Sequence, residues 1–158
     1  MKKILVLIYQ TLNILTRIMG WISPIVLLTI RVYLFNVFFK SGWLKLMSWE
    51  DTLALFTNQF KVWLLSPQAA ATIGTAAELI LPSFLLIGLG GRFPAIALFI
   101  FNIVCVISFP FLLEPAHVCM LKDHILWGVL IAWLMFQGHG KLSLDFLLQY
   151  KFCKDYKY

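Results

Sequence analysis

Charged side chains are scarce in this sequence: they make up 13% of 158 residues, against 61% hydrophobic. A soluble domain carries about a quarter charged and about half apolar residues. The shortage rules out water as the solvent of most of the surface and points to lipid. The length holds about four membrane spans of roughly 20 residues with short connections. No second domain fits, so residues 1–158 are expected to form one membrane domain. A formal net charge of +6 would suit nucleic acid, but the bases sit at the termini and beside hydrophobic segments. That is the pattern of juxtamembrane charge, and nucleic acid is not expected as a partner.

Motifs of familiar chemistries are missing too. The three cysteines, Cys105, Cys119 and Cys153, make no Cys-x-x-Cys, so the signature of thiol-shuttling membrane enzymes is absent. There is no serine nucleophile elbow, phosphate loop or His-x-x-x-His zinc pattern. Without axial-ligand pairs, no intrinsic metal or haem is expected, and electrons would be borrowed from a quinone or a partner. One polar pair without paired discontinuous helices makes a small-molecule or metal-ion transporter the weaker reading. No small-x-small cleavage site follows Met1-Lys2-Lys3 and its apolar run before Arg17, so the N-terminus is expected to stay.

What is present is helical periodicity. Ile4, Ile8, Leu12, Leu15, Met19 and Ile22 recur at helical spacing while Gln10, Asn13, Thr16 and Arg17 take other faces, which predicts an interfacial amphipathic helix over 3–21. Ser23-Pro24 then punctuates the chain, and spans are predicted at about 25–47, 69–89, 93–113 and 121–137. Ser48 and Asp51 are spaced as a capping box before a second surface helix over 48–65. Ser66-Pro67 restarts the pattern, and Gly88-Leu-Gly-Gly-Arg92 is a tight turn that makes spans two and three a hairpin. Beyond Gly138-His-Gly140, the tail carries Lys141, Lys151, Lys154 and Lys157, with Leu142, Leu144, Phe146 and Leu147 able to rest on the membrane. The fold class is therefore all-α, a four-helix transmembrane bundle with two interfacial helices. Lys2, Lys3, Arg17, Arg92 and the tail lysines fall on one side of it, the expected cytoplasmic side. Lys40, Lys45 and Lys61 on the other side weaken that asymmetry.

A charge at membrane depth costs about 2.5–3.5 kcal/mol even on lenient scales, so Arg31 and Glu78 are expected to face inward. Counted from the predicted span ends, their depths differ by only roughly 6 Å, which predicts an Arg31–Glu78 pair. Such a pair either fixes helix register or lines a quinone or substrate pocket. His117, Cys119 and Met120, with Glu114 close, are soft or borderline metal ligands, though a short polar loop more often just caps helix ends. His124 is either an interfacial hydrogen-bonding residue or a catalytic or quinone-contacting one, and Trp127 equally suits an aromatic belt. Lys40 and Lys45 are expected to snorkel to the headgroups, the alternative being an anion or substrate contact.

Arg31, Phe38-Phe39-Lys40-Ser41-Gly42-x-x-Lys45, Glu78 and Leu86-Ile-Gly88-Leu-Gly-Gly-Arg92 together resemble the pattern of the DoxX family of small bacterial membrane proteins, over residues 31 to about 105. In that pattern an Arg opens the first helix, Gly-x-x-Lys closes it, a Glu lies mid-second helix and Leu-x-Gly-Leu-x-x-Arg makes the turn. Trp49-x-x-Thr52-Leu, Ser66-Pro-x-Ala69-Ala70, His124-x-Leu-Trp127 and Gly140-Lys-Leu-Ser-Leu-Asp145 resemble a proteobacterial branch often encoded beside peptide-modification proteins. Lys40-Ser41 departs from the pattern, placing an extra charge beside Lys45.

The resemblance implies a four-helix protein of the bacterial inner membrane. Some relatives serve in quinone-linked oxidoreductases, including thiosulfate oxidation, or in thiol and oxidative-stress complexes. Carried over by position, Arg31, Gly42, Lys45, Glu78, Gly88 and Arg92 are the family-pattern residues. The expectation is a membrane subunit supporting a redox process, with no intrinsic cofactor and quinone as the candidate exchangeable one, lipid and further proteins as partners, and His124 and Lys45 as candidate contributors. The alternative is a noncatalytic anchor or assembly factor that docks partners on its interfacial helices. Whether the chain is itself catalytic stays open.

Overall fold

The computed structural model describes residues 2–60, 62–138 and 140–152. The expectations placed on Lys61, His139, Cys153, Lys154 and Lys157 lie outside them. Every regular element is helical: α1 (Lys2–Met47), α2 (Trp49–Asn58), α3 (Pro67–Ile87), α4 (Phe93–Ser108), α5 (Val118–Gln137) and α6 (Leu144–Phe152), with two short 3-10 turns between α4 and α5.

The expected break at Ser23-Pro24 does not occur, and α1 runs through Pro24 for 46 residues. A proline inside a helix removes one hydrogen bond and crowds the carbonyl four residues back. That residue is Gly20, around which even an added Cβ would meet nothing within 4 Å. In an apolar setting an uninterrupted helix keeps the remaining backbone groups satisfied. At 1.5 Å per residue α1 is about 69 Å long, more than twice a bilayer core of about 30 Å. Only its part from Leu27 onward enters the core; Trp21, before that point, is 83% exposed.

The core joins Leu27, Leu34 and Phe38 of α1, Leu85 of α3, Ala95 and Leu98 of α4, and Ile131 and Leu134 of α5. α1 packs on α3, α3 on α4, α4 on α5, and α5 back on α1. Three of these helices, α1, α3 and α5, are long and apolar enough to cross a membrane. α4 has 16 residues, about 24 Å, and is shorter than the predicted 93–113. Pro110 disfavours helical backbone at the residue before it; Phe109 is at φ −117° and ψ 82°, and a 3-10 turn follows over Pro110–Leu113. The surface is inverted relative to a soluble protein. Ile80, Ile100, Val129, Trp133 and Phe136 are exposed while Arg31, Glu78 and Asn102 are buried.

Two caps separate expectation from outcome. Ser66 caps α3 as its sequence suggests, accepting from the Ala69 N–H at 3.3 Å with Pro67 in the first turn. Ser48 makes no side-chain cap, so the capping box with Asp51 does not form. Its own N–H still bonds the Leu44 carbonyl at 3.0 Å and its carbonyl accepts from Thr52 N–H at 3.0 Å. The junction of α1 and α2 is nearly continuous, leaving little for a side chain to cap. α2 then ends at Asn58 rather than 65.

Candidate functional site

Helix register places the polar groups. Gly42 lies against α3 so closely that a Cβ there would be 2.8 Å from Glu78 Cβ. One turn later on α1, Lys45 Nζ reaches Glu78 Oε2 at 2.6 Å and Oε1 at 2.7 Å, and also donates to Ser41 Oγ at 2.9 Å. The side chains are 18% and 9% exposed. Lys45 therefore turns inward instead of snorkelling, and Ser41, part of the departure from the family pattern, completes its coordination. Lys40 is exposed, as a snorkelling lysine would be.

The expected Arg31–Glu78 pair is not formed. Arg31 is fully buried at the other end of the α1–α3 contact, where Nη1 donates to the Leu86 carbonyl at 3.3 Å and Nη2 to the Leu142 carbonyl. Arg31 and Gly42 are eleven residues apart on α1, about 16 Å of axial rise. The two residues lie at different depths because α1 runs through Pro24 instead of starting there, which shifts its register against α3. The buried cation is compensated by the carbonyl end of α3, where the helix dipole is negative.

Gly88 closes α3 with φ +68°, and its N–H bonds the Phe84 and Leu85 carbonyls while Leu89 N–H bonds Phe84, a Schellman-type ending. A Cβ on Gly88 would lie 2.5 Å from both Arg31 Nη1 and Ser143 Cβ. The tail is clasped here as well: Asp145 accepts from Gly90 N–H at 3.2 Å and Gly91 N–H at 2.5 Å, and returns its own N–H to the Gly88 carbonyl at 3.1 Å. Successive glycine amides of this kind form an anion-binding nest. Arg92 is exposed at the start of α4.

The Lys45–Glu78 end borders two cavities. One, of about 430 Å³, is lined by Val37, Phe38, Ser41, Lys45, Leu55, Phe60, Glu78, Cys105, Phe109, Leu112, Met120, His124 and Trp127. A smaller one, of about 110 Å³, shares Lys45, Phe60, Glu78 and Cys105 with it. His124 Nδ1 is 2.8 Å from Asn102 Oδ1, and Asn102 Nδ2 donates to the His124 carbonyl at 3.0 Å. The His124 ring meets Trp127 edge-on at 4.8 Å, and Trp127 Nε1 donates to Tyr33 Oη at 3.3 Å.

A family model, DoxX, matches residues 26–110, the stretch that holds Arg31, Gly42, Lys45, Glu78, Gly88 and Arg92. The chain belongs to the DoxX family. No curated protein and no solved structure matches it. With three helices long and apolar enough to cross a membrane, this DoxX protein is a multi-pass integral membrane protein.

Within this DoxX chain the pattern residues form two centres, Arg31 with Gly88 and Gly42 with Lys45 and Glu78. His124 joins the second from outside the matched stretch. Sequence reasoning missed Cys105, Asn102 and the tail clasp. Asn102 carried a usable signal, a lone amide in the apolar run Phe93–Ser108; Asp145 stood in the branch-like Gly140–Asp145 segment, which gave no hint that it contacts the glycine turn. Of the loop residues, His117 Nδ1 is 3.8 Å from Glu114 Oε2, Cys119 is exposed, and Met120 lines the larger cavity.

Proposed function

We propose that this DoxX protein is a membrane subunit supporting a quinone-linked redox process, and that the larger cavity takes the quinone-type ring. The observation that carries the reading is a cavity of about 430 Å³ with aromatic and aliphatic walls whose lining includes an ion pair and an imidazole. Ligand pockets of about 300–1,000 Å³ are typically apolar with a few placed polar groups. Phe38, Phe60, Phe109 and Trp127 offer faces for a planar ring, while His124 and the Lys45–Glu78 pair are the polar groups available to its oxygen substituents. When bound, a quinone supplies the capacity to carry two electrons and two protons. The chain's own residues hold and orient the ring and keep the charged pair out of lipid; a partner protein supplies the electrons. In this reading α1, α3, α4 and α5 all cross the bacterial inner membrane, with both termini cytoplasmic.

A second reading, a noncatalytic anchor or assembly factor, is favoured by one observation. Ile8, Leu12, Leu15, Met19 and Ile22 of α1 are exposed and lie before the part of the helix that enters the core. In that case the extension lies in the interface and holds a partner there.

The deciding experiment is quinone content and quinone-reductase activity of gently purified protein with its native partners, comparing wild type with Glu78→Gln and Lys45→Gln, each checked for folding. Loss of bound quinone in folded variants supports the redox reading. No quinone and no turnover in any sample moves the assignment to the anchor.

A further inference from the structure

The polar groups lining the larger cavity are rich in lone pairs and poor in free hydrogen-bond donors. An ammonium group carries three N–H donors and no acceptor. Lys45 has three acceptors in reach, Ser41 Oγ at 2.9 Å and the Glu78 oxygens at 2.7 and 2.6 Å, so its donors are engaged. The carboxylate, being ionised, only accepts.

His124 is restricted by its neighbour. Its backbone carbonyl can only accept, so the Asn102 atom facing it at 3.0 Å is the amide nitrogen. Reversing the amide would set oxygen against oxygen. Asn102 Oδ1 therefore faces His124 Nδ1 at 2.8 Å, and because Oδ1 only accepts, Nδ1 carries the proton. In a neutral ring that leaves Nε2 as a bare lone pair. Nε2 has no hydrogen-bond partner among the described residues, and it is not among the buried unpartnered atoms. Trp127 Nε1 is already committed to Tyr33. The donors left on the lining are the Ser41 hydroxyl and the weak Cys105 thiol.

We propose that the cavity selects a ligand bearing a hydroxyl donor, of the phenol or hydroquinone class, over the same ring carrying only an acceptor oxygen, with His124 Nε2 receiving the O–H and Asn102 acting as the positioning residue that fixes the tautomer. The proposal rests on the ring-binding reading above and adds a preference between the hydroxyl and carbonyl forms of the ring. An imidazole facing a carbonyl or ether oxygen would set two lone pairs together and leave both unpaired, a cost typical of unsatisfied buried polar groups.

The test uses the full chain in lipid nanodiscs, with 4-hexylphenol, its methyl ether 4-hexylanisole and decyl-ubiquinone as probes. The expected result is that the phenol binds about tenfold more tightly than the ether, the scale of one well-made hydrogen bond. The ratio falls to about one in His124→Phe, and it decreases in Asn102→Leu while ether binding is retained. Nitrogen-15 NMR of histidine-labelled wild type, with the His124 signals assigned by their loss in His124→Phe or by selective labelling, should show the proton on Nδ1. With selective labelling that readout needs no variant to fold, and a merely structural Asn102 would not fix the proton on Nδ1. A proton on Nε2, equal affinity for phenol and ether, or a preference that survives in folded His124→Phe overturns the proposal. If decyl-ubiquinone binds while the phenol shows no preference, the hydroxyl selection falls and the ring-binding reading stands; if none of the three probes binds, both fall.

Discussion

Lys45 Nζ and Glu78 Oε2 stand 2.6 Å apart because Gly42, one turn before Lys45, lets α1 and α3 approach at the Glu78 Cβ. A lysine on a thicker helix contact would have to reach past an intervening side chain. Removing one member of a buried pair leaves the other as an uncompensated charge, whereas removing both leaves none.

Lys45→Met and Glu78→Leu are each expected to destabilise the protein by roughly 3–5 kcal/mol, and the double variant to recover most of that loss. Unfolding in mixed micelles, followed by circular dichroism, measures all four proteins. A double variant as unstable as its parents would mean that the pair does not carry the stability assigned to it.

Gly42→Ala forces a Cβ to within 2.8 Å of Glu78 Cβ, and overpacking of that kind costs about 1–3 kcal/mol. Gly20→Ala on the same helix meets nothing within 4 Å and is expected to stabilise by about 0.5–1 kcal/mol through backbone entropy. Thermal unfolding of the two variants side by side checks the opposite signs.

Arg31→Gln removes the cationic donors to Leu86 and Leu142, and Asp145→Asn weakens the contact with the Gly90 and Gly91 amides. Both are expected to raise amide hydrogen exchange over residues 140–152. Each lost charged hydrogen bond is worth about 1.5–3 kcal/mol. Ring binding at the Lys45–Glu78 end, about 16 Å away along α1, is expected to persist. Exchange mass spectrometry reads the first effect and probe affinity the second; lost affinity with an undisturbed tail would reverse the roles given to the two centres.

Deleting residues 1–21 removes a stretch none of whose described side chains belongs to the core formed by Leu27 and the residues beyond it. The unfolding midpoint is expected to shift by no more than a few degrees, on the order of 1 kcal/mol. Affinity capture of native partners by the truncated protein separates the two functional readings: lost partners with retained quinone assign the extension to docking.

Much of the architecture is legible in the sequence. The apolar excess announced lipid, Ser66-Pro67 marked the start of α3, and Gly88 marked its end, each through a rule that needs only the residues on the spot. Boundaries set by weaker punctuation were misjudged. Pro24 did not stop α1, because helix propagation in an apolar setting outweighs one lost hydrogen bond. Pro110 did stop α4, because the chain there could leave the helix into a 3-10 turn.

Local chemistry thus required partners for Arg31 and Glu78, because a charge inside an apolar chain is costly wherever it lies, while leaving Lys45 free to snorkel. Which cation answers Glu78 was beyond it. Arg31 and Lys45 both lie on α1, and the choice depends on how far α3 slides along it. That register follows from pairwise contacts, Gly42 against Glu78 and Arg31 against the closing turn of α3, and such contacts exist only once the helices pack. The hydrogen bonds between Asn102 and His124 and between Asp145 and the glycine turn belong to the same class, joining residues distant in sequence whose meeting no local periodicity encodes.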